Sequence, residues 1–137
     1  MEIREYAPYR GGEIEELYGS VGWSNYTRAP EMLRRAYENS LRTLGAYEDG
    51  RLVGLIRAVG DGASVVFIQD LLVRPEHQRR GVGSALVRAL EELYPDVYQL
   101  ELLSDDTAEN AAFYSSLGFR RASELGCASY LHMRKTE

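Results

Sequence analysis

Between Thr43 and Val73 the chain carries three runs rich in Val, Ile, Leu and aromatic residues: Thr43 to Tyr47, Leu52 to Val59 and Ser64 to Val73. Only Asp49-Gly50 and Gly60-Asp61-Gly62 separate them. Runs of this composition read as strands, and loops this short join only antiparallel neighbours, because a parallel crossover needs a dozen or more residues. The centre of the chain is therefore predicted to be an antiparallel meander whose third strand ends at Pro75.

On both sides of the meander the apolar period lengthens to that of helices. Upstream, Ile3 to Tyr6 reads as a short strand. Glu13 to Tyr18 then places Ile14, Leu17 and Tyr18 at helical spacing, and Pro30 opens a second helix with Met32, Leu33, Ala36, Tyr37 and Leu41 on one face. Downstream, Val82, Leu86, Leu90 and Leu93 share a helix face that Pro95 closes, and Val97 to Leu103 is a strand. Thr107 caps a further helix that runs through Phe113 and Leu117 to Gly118. Phe119 to Ala122 and Ala128 to Met133 are expected to close the chain as strands. The order is βααβββαβαββ, an α/β (α+β) class with a mixed, mainly antiparallel sheet. A length of 137 residues, 45% of them apolar and 27% charged, fits one domain over residues 1–137.

The charge balance narrows the function. A formal charge of −5 argues against a general nucleic-acid surface and favours cationic partners. No apolar run approaches the ~18 residues of a membrane span, and the N-terminus lacks the apolar core of a signal peptide, so the cytoplasm is the expected compartment and no membrane role is expected. Cys127 cannot form an intrachain disulfide and sits in a strand-like run, where a cysteine is more often core than nucleophile. With His77 and His132 far apart in sequence, no metal-ligand spacing exists and no metal is expected. Exposed sheet edges and an apolar C-terminal run lead us to expect a homodimer.

Chemistry concentrates in His77-Gln78-Arg79-Arg80-Gly81-Val82-Gly83-Ser84, between a strand and the start of a helix. Gly81 and Gly83 lack a Cβ, so backbone can approach a ligand closely, and the first amides of the helix point into the same space. Arg74, Arg79, Arg80 and His77 make this stretch basic in an acidic chain. These features describe an anion site, or else a plain strand-to-helix turn with solvated arginines. A P-loop is excluded because no Lys-Ser/Thr follows the last glycine, and a dinucleotide fingerprint because the third glycine is missing.

Gln78-Arg79-Arg80-Gly81-Val82-Gly83, preceded by Leu71-Leu72-Val73-Arg74-Pro75, resembles the coenzyme A loop of the GNAT superfamily of N-acetyltransferases. Asn110-Ala111-Ala112-Phe113-Tyr114-Ser115-Ser116-Leu117-Gly118-Phe119 is similar to the same family's late helix. The resemblance implies a GNAT-like fold and acetyl-CoA as co-substrate, its pyrophosphate held by Gln78, Arg79, Arg80, Gly81, Val82, Gly83 and Ser84. It implies that the backbone of Leu72 and Val73 pairs with the pantetheine arm, that Asn110 also binds this arm, and that the Tyr114 hydroxyl protonates the departing thiolate. From the residues alone, Tyr114 is more simply a partly buried aromatic in a chain with ten tyrosines.

The strand Phe67-Ile68-Gln69-Asp70-Leu71-Leu72-Val73 resembles that of polyamine and amino-sugar acetyltransferases, where a Glu-Asp pair often stands at the place of Gln69-Asp70. Gln69 cannot take a proton, so Asp70 is the expected base, directly or through a water, with Glu101 and Asp105 as alternatives; Asp70 is equally read as a carboxylate that positions a cationic amine. Trp23 and Tyr26, with Gln69 and Asp70, are the candidate acceptor contacts; the aromatics either line the acceptor pocket or pack on the core. The expected reaction is acetyl transfer to a primary amine, a small cationic one by charge complementarity. A protein amine and a non-catalytic acyl-CoA sensor are the alternatives.

Overall fold

The three central runs pair as their turns require. In the computed structural model, which describes residues 1–134, the elements in chain order are β1 (Glu2–Glu5), α1 (Gly11–Ser20), α2 (Ser24–Thr27), α3 (Pro30–Glu38), β2 (Arg42–Glu48), β3 (Arg51–Gly60), β4 (Val65–Val73), α4 (Val82–Leu93), β5 (Gln99–Leu102) and α5 (Ala108–Ser116). Single 3₁₀ turns lie at Pro75–His77 and Ala122–Leu125. The sheet order is β1-β2-β3-β4-β5; every pairing is antiparallel except β4 with β5, which is parallel. Contacts group into two compact units, Met1–Leu103 and the segment from Ser104.

In the first unit the sheet is covered on both faces. Ile14, Leu17 and Tyr18 of α1 and Leu33 of α3, all fully buried, pack on Tyr47, Leu52, Leu55 and Leu72. On the other face, α4 buries Val82, Leu86, Val87 and Leu90. Gly54 lets α4 come close. A Cβ there would lie 3.0 Å from Val82 Cγ1, 3.2 Å from the Leu72 carbonyl oxygen and 3.3 Å from Leu86 Cδ1. The contact sits at the first turn of α4, so it also fixes where the helix begins. Gly54→Val is expected to cost about 1–3 kcal/mol by overpacking, measured as a lower midpoint of urea unfolding.

Two irregularities of β4 set the positions of Gln69, Asp70 and the strand end. Arg57 pairs with Asp70 and Ala58 with Ile68, so β4 holds one extra residue, Gln69, in a bulge. The bulge puts Gln69 in solvent while Asp70 turns into the core. The parallel pairing with β5 ends at Ile68 and Leu102, and over residues 69–73 that edge of β4 has no strand partner among the described residues.

The second unit departs from the sequence expectation. Phe119 to Ala122 and Ala128 to Met133 are not strands. The Glu124 carboxylate accepts from the Arg121 amide, the Ala122–Leu125 turn follows, and Gly126 at φ 78° ends it with the Cys127 amide bonded to the Ala122 carbonyl. This turn captures the Arg121 amide and the Arg121 and Ala122 carbonyls, which a ladder over 119–122 would have used. Cys127 is exposed, not core. The four-residue helix α2 and the 3₁₀ turn at Pro75–His77 are additions that apolar periodicity does not signal.

Candidate active site

The loop from Gln78 to Ser84 joins β4 to α4 through two left-handed residues, Arg79 at φ 61° and Gly81 at φ 83°. Gly81 is the N-cap of α4, and no side chain caps this end. The Ala85 amide makes the first helical bond, to the Gly81 carbonyl at 3.0 Å, so the amides of Val82, Gly83 and Ser84 precede the ladder. An ideal Cβ on Gly81 would meet nothing within 4 Å, so the backbone borders open space. The left-handed residues Arg79 and Gly81 turn the loop sharply into the positive end of the helix dipole, a geometry that fits a pyrophosphate. Arg79 and Arg80 are exposed there.

Two basic residues read as part of this cluster are engaged elsewhere. Arg74 is 4% exposed: its Nε donates to the Leu52 carbonyl and its Nη2 lies 2.8 Å from Glu16. His77 Nε2 lies 3.3 Å from Glu48. Gln78 turns its side chain back, donating from Nε2 to the Val73 carbonyl at 3.0 Å, which ties the loop to the end of β4. Leu72 is buried and Val73 half-buried on the unpaired stretch of β4.

Asp70 lies in a polar network within the apolar core. It is 2% exposed and takes three bonds: from Arg57 Nε at 2.8 Å and the Tyr18 hydroxyl at 2.8 Å, both to Oδ2, and from the Tyr26 hydroxyl at 3.0 Å to Oδ1. An ionised carboxylate only accepts, so the single Tyr18 proton is committed to Asp70, and Tyr37, whose oxygen is 2.9 Å from that of Tyr18, donates to Tyr18. Arg57 also reaches Ser40 and stacks 5.5 Å from the Tyr37 ring centre. Burial alone would lower the pKa of Arg57; the charge and hydrogen bond of Asp70 outweigh it and raise it further above its ordinary value. Burial, followed by the neighbouring Tyr37 and Asp70, raises Tyr18 far above the usual phenol range. Removing either member of a buried pair like Arg57–Asp70 costs about 3–5 kcal/mol, because the other charge is left uncompensated.

This network bears on the reading of Asp70 as the base. Both of its oxygens accept from neighbours and the side chain is covered, so an amine reaches it only through a neighbour. Trp23 and Tyr26 pack on the core cluster, and Tyr26 also joins the network. Sequence reasoning missed Tyr18, Tyr37 and Arg57. A signal existed for the last of these, since Arg57 is the one charge inside the apolar run Leu52 to Val59 and a buried charge demands a partner.

In the second unit, Asn110 and Tyr114 lie one turn apart on α5. The Thr107 side chain accepts from the Asn110 amide at the N-cap, and Asn110 Nδ2 donates to the Asp105 carbonyl at 3.1 Å. The Tyr114 ring packs edge-on against Phe113 and Phe119, at 4.9 and 5.8 Å between centres, and burial raises its hydroxyl above the ordinary value. Among the described residues no group of three His, Cys, Asp or Glu side chains is placed to hold a metal ion.

Residues 9–119 match the family described as the acetyltransferase (GNAT) family. A GNAT family acetyltransferase from Streptococcus pneumoniae TIGR4 superposes with a TM-score of 0.88 at 36% identity, covering 98% of each chain. The uncharacterized N-acetyltransferase ycf52 of Gracilaria tenuistipitata var. liui is 32% identical over 113 residues, 78% of this chain and 60% of its own length. Serotonin N-acetyltransferase 2, chloroplastic, of Oryza sativa subsp. japonica is 32% identical over 117 residues, 79% of this chain and 55% of its own. The chain therefore spans little more than half the length of these curated relatives. A match over most of the chain, in sequence and in fold, places it in the GNAT family of acetyltransferases.

Proposed function

We propose that this chain transfers acetyl from acetyl-CoA to a small primary amine that is cationic when free, by direct attack of the neutral amine. The observation that carries the reading is the parting of β4 from β5 after Ile68 and Leu102, with the open helix end at Gly81 following the unpaired stretch of β4. Backbone from Leu72 and Val73 supplies strand-like partners for an extended amide arm, and the loop from Gln78 to Ser84 supplies amides for its phosphates. When bound, acetyl-CoA supplies the activated acetyl group as a thioester. Asn110 would hold the pantetheine arm, and Tyr114, kept protonated by burial, would give its proton to the departing sulfur.

Asp70 takes a positioning role in place of proton removal, because it is buried and Arg57, Tyr18 and Tyr26 surround its oxygens. The amine proton then leaves to solvent. Support for a small cationic acceptor comes from the acidic chain, the aromatic cluster of Trp23 and Tyr26, and a relative named for serotonin, an arylalkylamine. The test is CoA release from acetyl-CoA against polyamines, arylalkylamines, amino sugars, amino acids and lysine peptides. Turnover confined to one small-amine class supports the reading. Turnover with lysine peptides alone replaces it with a protein acceptor, and CoA binding without any turnover replaces it with a sensor.

A further inference from the structure

The three bonds on Asp70 all run inward, from Arg57, Tyr18 and Tyr26, but they differ in burial. Those from Arg57 and Tyr18 are buried, whereas that from Tyr26 is only partly so. Tyr26 is the partner nearest solvent, on α2, with its ring 5.1 Å from that of Tyr18 and 6.1 Å from that of Trp23. A phenol has one proton, and that of Tyr26 is committed to Asp70 Oδ1 at 3.0 Å. What Tyr26 offers in any other direction is oxygen lone pairs.

Gln69 extends the same logic to the surface. The β4 bulge exposes its side chain at the point where β4 and β5 part. Burial and the charge of Asp70 raise the Tyr26 hydroxyl above its ordinary value, and the Gln69 side chain beside it works in the opposite sense. An exposed amide offers a carbonyl oxygen as well as N–H groups, and the carbonyl is the part that an N–H donor bound at Tyr26 would meet.

We propose that the Arg57–Asp70 ion pair sets the hydrogen-bond polarity of the acceptor site, so that Tyr26 and Gln69 meet the incoming group as acceptors and select an N–H donor. Resting on the transferase reading above, this makes both residues determinants of amine specificity and makes Arg57 and Asp70 the positioning residues behind them. A ligand whose binding end carries only acceptors, such as a carboxylate, finds no donor at Tyr26 and is disfavoured.

Steady-state kinetics with the best amine of the panel test the proposal. Tyr26→Phe keeps the ring and Gln69→Leu keeps the bulk; each is expected to raise the amine KM about tenfold, with the effect on KM rather than kcat and with CoA affinity unchanged. Gln69→Glu, which only accepts, is expected to hold or lower that KM. Equal losses in Gln69→Glu and Gln69→Leu overturn the polarity assignment, and so does an unchanged KM in Tyr26→Phe. Absence of turnover by the unaltered chain with every amine overturns the transferase reading and this inference together, which separates the two failures.

Discussion

Gly81→Asp is expected to lower acetyl-CoA affinity at least about a hundredfold, read by titration calorimetry. Two effects add. The residue sits at φ 83°, where a side chain is strained, and the new carboxylate would stand at the start of α4, where the proposed phosphate site lies. A Cβ at Gly81 meets nothing within 4 Å, so the fold should tolerate the change and the loss should be one of binding. Gly81→Asn separates the two contributions, because Asn tolerates the same backbone without the charge. It is expected to lose far less affinity than Asp. Equal affinity in Gly81→Asp and the parent chain would remove the loop from cofactor binding.

Tyr114→Phe is expected to lower kcat by about 10²- to 10⁴-fold while the Kd for acetyl-CoA stays within about twofold, since only the proton donor is removed. The ring contacts with Phe113 and Phe119 survive the change. The pH profile carries independent information. As the proposed acid, Tyr114 would act only while protonated, and burial shifts its pKa upward, so its protonated form persists to higher pH than that of a free phenol. The rate should therefore rise as the acceptor amine loses its proton and show no fall up to about pH 10, the ordinary phenol value. A profile that turns down below about pH 9, under that phenol value, would contradict the assignment of Tyr114 as the acid.

Local features were legible in the chain and long-range ones were not. The meander followed from turn length alone, and the open end of α4 followed from Gly81 and Gly83, whose conformational freedom is a property of single residues. Arg74 was misplaced because its partner, Glu16, lies on an element far earlier in the chain. The bulge at Gln69 depends on how β3 and β4 slip past each other, which no single strand records. Without the bulge, Gln69 and Asp70 are simply two polar neighbours; with it, one is solvent-facing and the other becomes the centre of a buried network. The C-terminal strands failed for a related reason, since apolar content makes a strand possible but a pairing edge and competing turn bonds decide it.

The close approach of α4 that Gly54 allows makes one helix serve both the core and the proposed acetyl-CoA site. Occupancy of that site is then thermodynamically linked to folding. A ligand at about a hundred times its Kd adds about 2.7 kcal/mol to the stability of the state that binds it. In a cell, the abundance of the folded chain would thus follow the acetyl-CoA pool, and a core substitution near Gly54 would be felt first when that pool is low.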